Sequence, residues 1–188
     1  PESDLNVENI QSLLTSKPKE NLLAFQEYAA LYLLTGETPY MVAGSSVLMR
    51  MCEIYEKDPH RRMTWPEETN ARYIFAMWDA VEESKVFDHD QRLRITRMLL
   101  HFLHALVPLT SNYEHLEEHR SILWNHTTFP LLGLYFGGRY FDRYYRLSEM
   151  KTFLSKADSA FAGQEHSWKP QCDADSYLTL TMNHMIEL

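Results

Sequence analysis

Asn21-Leu-Leu-Ala-Phe-Gln-Glu-Tyr-Ala-Ala-Leu-Tyr-Leu-Leu34, closed by Gly36, sets the fold class. Its apolar residues return at intervals of three and four, which is the spacing of one helix face, and the glycine is a stop signal. Thr38-Pro39 restarts a helix with proline in its first turn, running to about Lys57 before Asp58-Pro59. Thr64-Trp-Pro66-Glu-Glu repeats that start and leads through Ile74, Phe75, Met77, Trp78 and Val81. Asp88 or Asp90 caps the next helix, whose apolar face reads Leu93, Leu99, Leu100, Phe102, Leu103 and Leu106 before Pro108 stops it. Shorter helices are expected over about 112–123, 129–146, 148–163 and 174–188. No segment alternates as a strand would, and six glycines are few for a hairpin-rich sheet.

Successive antiparallel helices with broad apolar faces and short connections predict an all-α fold. The expected form is an incomplete (α/α) toroid of antiparallel helical hairpins, one domain over residues 1–188. No fixed-period repeat marks a solenoid. Length is ample for a core, and 45% apolar against 23% charged residues is ordinary for a globular chain. Aromatics reach 13%, a composition that suits both dense packing and clefts gripping sugar rings. The net charge of −8 and the absence of a basic stripe argue against nucleic acid and anionic membranes as partners. The run Arg92-Leu-Arg-Ile-Thr-Arg97 reads as a solvated helix face. Cys52 and Cys172 form no CxxC pair, and no apolar run approaches a membrane span. Starting at Pro1 and ending within a helical pattern at Leu188, the chain reads as a piece of a longer protein.

Three constellations carry chemistry. His115-Leu-Glu-Glu-His119 fits an inverted zinc-protease pattern, with Glu118 acting on water and Glu187 one of many third ligands. That chemistry needs an α/β setting, so the simpler reading is a polar helix face. His101 and His104 share a face of an apolar helix and read as core or rim histidines. The third is Asn125-His126 at a helix boundary, followed on a later helix by Tyr177. An amide, an imidazole and a phenol are what proton removal beside a uronate carboxylate requires. Asn neutralises the carboxylate, His or Tyr takes the C5 proton, and a Tyr hydroxyl protonates the departing oxygen, with no cofactor. The simple alternative is that Asn125 caps a helix and His126 fills its first turn.

The segment from Ser111-Asn-Tyr113 through Ser121-Ile-Leu-Trp-Asn-His-Thr-Thr-Phe-Pro130 to Phe141 resembles the toroid domain of heparinase II/III-type polysaccharide lyases and their alginate lyase relatives. In that family an Asn-His pair begins such a helix, and a catalytic Tyr follows an acidic turn, here similar to Gln171-Cys-Asp-Ala-Asp-Ser-Tyr177. The resemblance implies that Asn125 neutralises the substrate carboxylate and that His126 is the base or its helper. It makes Tyr177 the general acid, and also the base for substrates of opposite C5 configuration. It implies substrate contacts from Asn112 and Tyr113, where the family more commonly has Asn-Trp. It also implies a C-terminal β-sandwich beyond this chain, a periplasmic or secreted location, and an acidic polysaccharide such as a glycosaminoglycan, alginate or ulvan. Nothing in the pattern calls for a metal or organic cofactor.

Trp124, Trp168 and Asp175 are further candidates for substrate contact, whereas Tyr135, between Leu134 and Phe136, reads as core. An acidic protein binding a polyanion needs a locally basic cleft, for which Arg120, Arg139, Arg143, His166 and Lys169 are candidates. Two rival functions remain at this stage. One is an α/α-barrel glycoside hydrolase using Asp173 with Asp175 or Glu118, and the other a non-catalytic helical-repeat binding protein.

Overall fold

The structure, a computed structural model, describes residues 22–113 and 125–162. Among them the chain is all-helical, with no strand. Helix α1 spans Leu22–Thr35, α2 Thr38–Lys57, α3 Trp65–Val81 and α4 His89–Leu106. A 3-10 helix covers Val107–Tyr113, then come α5, Asn125–Tyr145, and α6, Met150–Ala162.

The helix ends follow local chemistry. Gly36 takes a φ of +72° and its N–H donates to the Tyr32 carbonyl at 2.8 Å, closing α1 in the left-handed form glycine adopts cheaply. At the start of α3 the Glu67 carboxylate turns back to accept from the Thr64 N–H at 2.8 Å and its hydroxyl at 2.9 Å. Asp88 caps α4, accepting from the Gln91 N–H at 2.8 Å, while Gln91 accepts from the Asp88 N–H at 3.1 Å.

Helix α4 ends at Leu106, just before Pro108 as expected, and the backbone beyond it tightens into the 3-10 helix. Helix α5 begins at Asn125, ahead of the expected start near 129, and carries Pro130 inside it. Burial explains the early start: Thr128 is fully buried and Phe129 nearly so, both against the molecule's interior. The proline forfeits one helical bond, to the His126 carbonyl, at an end already short of partners. Leu93 also departs from its expected core face, lying 49% exposed while Ile95 and Met98 fill the interior. Its arginine neighbours are partly tied down: Arg94 makes a two-pronged bond to Glu56 at 2.8 Å, and Arg92 donates to the Ser84 carbonyl.

Packing gives two rows of helices. Gly44 approaches Phe25 and Tyr28, and Gly138 approaches Phe153 and Leu154, so α1–α2 and α5–α6 are antiparallel hairpins. Helix α4 runs antiparallel to α5, with Leu103 at Gly137 and Leu106 at Gly133. Along α3 and α5 the contacts keep the same order: Glu68 with His126, Ala71 with Gly133, Phe75 with Gly137, Trp78 with Tyr140. These two helices are therefore parallel neighbours, and theirs is the most extensive helix contact described. Helix α1 joins their row against α3, and α2 packs on α4 in the other.

The core centres on fully buried Trp78, Phe75 and Phe102, each such side chain contributing about 1.5–3 kcal/mol. Close approach of α3 and α5 depends on missing side chains. A Cβ at Gly133 would stand 2.8 Å from that of Ala71, and one at Gly137 would stand 2.9 Å from the Phe75 ring. At the far end the Trp78 indole donates to the Tyr140 hydroxyl at 3.0 Å, which donates in turn to Glu82. Burial pushes the Glu82 carboxyl above its ordinary value, and burial together with Glu82 raises the Tyr140 phenol. With α3 and α5 parallel and α4 reversed, the starts of α3 and α5, the end of α4 and the loop 58–64 gather at one end of the molecule.

Candidate functional site

At that end His126 is the second residue of α5. Its imidazole is about half exposed, at 47%, and Nδ1 lies 3.5 Å from Oε1 of Glu68 in the first turn of α3. That separation is an ion-pair contact more than a tight hydrogen bond. The Phe129 ring stands edge-on to the imidazole, with centroids 6.1 Å apart. Below lies Arg72, 5% exposed, its guanidinium stacked 4.2 Å from the Tyr73 ring and 5.7 Å from that of Phe129. Arg72 also donates to the Tyr73 hydroxyl at 2.7 Å. A solvent-facing imidazole thus sits between a carboxylate and an aromatic ring that also neighbours the buried Arg72 guanidinium.

The neighbouring residue Glu67 points its carboxylate elsewhere. It is 1% exposed and pairs with Arg61, whose guanidinium lies 4.8 Å over the Tyr55 ring. Burial, with Glu67 adding to it, pushes the Tyr55 phenol up to about 12. Beyond Arg61 a groove of about 660 Å³ runs between Pro59–Met63 and the end of α4, where His101 and His104 stand at the rim, both exposed. His104 contacts Glu149 at 3.2 Å and the Phe153 ring edge-on.

Asn125 is the first residue of α5 and adjoins His126 in the chain, while Asn112 and Tyr113 end the 3-10 helix. Tyr177, Trp124, Trp168, Asp175 and Arg120 lie outside the described residues. So do the zinc-protease pattern at His115, Glu118 and His119 with Glu187, the hydrolase carboxylate Asp173, and the loop residues His166 and Lys169. Arg139 and Arg143 do not converge on His126: they stand 13 or more residues farther along α5, about 20 Å at the helical rise. There they share a pocket of about 340 Å³ with Asp79 and Asp142, which offset their charge. Tyr135 is partly exposed instead of core, with Arg139 5.4 Å over its ring.

Glu68 and Arg72 carry no signal in the sequence, where His60-Arg61-Arg62 stands out only as a local cluster of basic residues with no role attached. Acidic residues in a first turn complement the helix dipole wherever they occur, so Glu68 gave no distinct signal. Its partner is 58 positions away, fixed by the parallel register of α3 and α5. Among the described residues no group of three His, Cys, Asp or Glu is arranged to hold a metal, and no helix is long and apolar enough to cross a membrane. No protein-family model, curated protein or solved structure matches the chain.

Proposed function

We propose that this chain belongs to a uronate-specific polysaccharide lyase, its rows of helices forming part of an incomplete (α/α) toroid. The observation that carries the reading is the His126 imidazole, solvent-accessible and backed by Glu68 at 3.5 Å on Nδ1. A carboxylate at Nδ1 favours the proton on that nitrogen and leaves Nε2 as the base. The first turn of α5 opens there with no acidic residue in it, an end favourable to a substrate carboxylate, for which Asn125 is the proposed hydrogen-bond donor.

In the proposed reaction Asn125 stabilises the charge that spreads into the uronate carboxylate as His126 removes the C5 proton. The C5 electron pair forms the C4–C5 double bond, the C4–oxygen bond breaks, and Tyr177 protonates the departing oxygen. The substrate is an acidic polysaccharide met in the periplasm or outside the cell.

Incubating the full chain with alginate and glycosaminoglycans, and following the ultraviolet absorbance of the unsaturated uronate, tests the reading directly. His126→Ala and Tyr177→Phe are each expected to lower the rate at least about a hundredfold with helical content unchanged. Undiminished elimination in both variants rejects these assignments. New reducing ends without the absorbance point to hydrolysis, and neither signal points to a binding protein.

A further inference from the structure

The groove beside loop 58–63 has an unusual charge pattern for its host. Its described lining includes His60, Arg61, Arg62, His101 and His104, and among the described residues no Asp or Glu lines it. The chain as a whole has 26 acidic against 18 basic residues. Two of the five are committed elsewhere, Arg61 to Glu67 and His104 to Glu149. Arg62, His60 and His101 are exposed and make no ion pair with a described carboxylate. Met63 and Leu109 add apolar lining suited to the carbon face of a sugar ring. At about 660 Å³ the groove falls within the roughly 300–1,000 Å³ of ligand sites, far larger than a lone ion needs.

Its position relative to His126 follows from two adjacent residues. Glu67 holds Arg61 at the groove, and Glu68 contacts His126, so groove and imidazole flank the start of the same helix. We propose that the groove is a subsite for an anionic group of the polysaccharide, a carboxylate or a sulfate, held apart from the bond being broken and selected by Arg62, His60 and His101. The inference rests on the lyase reading for what then happens to the bound chain, and it makes chain length a determinant of affinity, because only a polymer reaches both flanks. An arginine fork matches either oxyanion by paired hydrogen bonds, and the imidazoles add donors.

Native electrophoresis of the full chain through gels containing alginate, heparin or neutral dextran tests the subsite without requiring turnover. Retardation is expected in at least one polyanion gel and absent in dextran; alginate alone identifies a carboxylate subsite, heparin alone a sulfate subsite. Arg62→Ala with His101→Ala should weaken the apparent affinity at least about tenfold. Lys85→Ala with Lys151→Ala, which removes at least as much positive charge elsewhere, should not. Wild type that passes both polyanion gels freely, a groove variant retarded as strongly as wild type, or an equal loss in the Lys85/Lys151 control overturns the proposal. Retardation without any unsaturated product sinks the elimination chemistry and leaves the subsite standing.

Discussion

Glu67 and Glu68 are consecutive, yet one is structural and the other sits at the proposed site. Glu67 is buried, caps α3 and neutralises Arg61; Glu67→Ala would strand that guanidinium, itself only 18% exposed, and should cost about 3 kcal/mol or more, read as a fall in the urea midpoint. Glu68→Gln keeps shape and loses charge. Stability is expected to stay within about 1 kcal/mol of wild type while kcat for elimination falls, a split that a purely structural role would not give. Cys52 offers a third test at this scale. It is fully buried, and burial pushes its thiol up to about 12. In a Cys172→Ser background the native protein should therefore resist thiol reagents at pH 8 and react only when urea opens the core. None of these contrasts is visible in the letters Glu-Glu or in an isolated cysteine, because burial is decided by what lies across the helix.

Helix ends were legible because their causes are local. Gly36, Thr38-Pro39, Thr64 with Glu67 and Asp88 with Gln91 each act within four residues, and the structure uses every one of them. The start of α5 at Asn125 agrees with the helix boundary read at Asn125-His126 and lies about four residues ahead of the span expected from 129, the tertiary burial of Thr128 and Phe129 favouring the longer helix. The glycines of α5 went unread for a related reason: in sequence they only weaken a helix, whereas in space Gly133 makes room for Ala71. The Ala71 methyl cannot retreat without its backbone, so Gly133→Ala should destabilise by about 1–3 kcal/mol. Gly138→Ala meets Cδ2 and Cγ of the Leu154 side chain at 3.3 Å and Phe153 Cβ at an ordinary 3.7 Å, and should be close to neutral, since alanine's better helix propensity offsets the contact. Thermal or urea unfolding of the two variants side by side checks the contrast.

For the whole molecule, the helical class and the order of hairpins followed from periodicity, but the parallel pairing of α3 with α5 did not, because register between helices is set by contacts distant in sequence. One such contact also governs pH response. Burial raises Glu82 above its ordinary 4.5, so the folded state holds that proton more tightly than the unfolded chain. Its contribution to stability is then complete below pH 4.5 and is lost as pH climbs through the raised value. Urea midpoints of wild type should decline over that window relative to Glu82→Gln, which has no proton to lose there. A parallel pair of helices with interlocked surfaces also behaves like a vernier. Sliding α5 by one notch against its neighbour would shift the imidazole at its tip by the same distance, so the gap between imidazole and carboxylate is gauged by two absent methyl groups farther down the shaft. Substitutions there should detune the proposed chemistry without touching it.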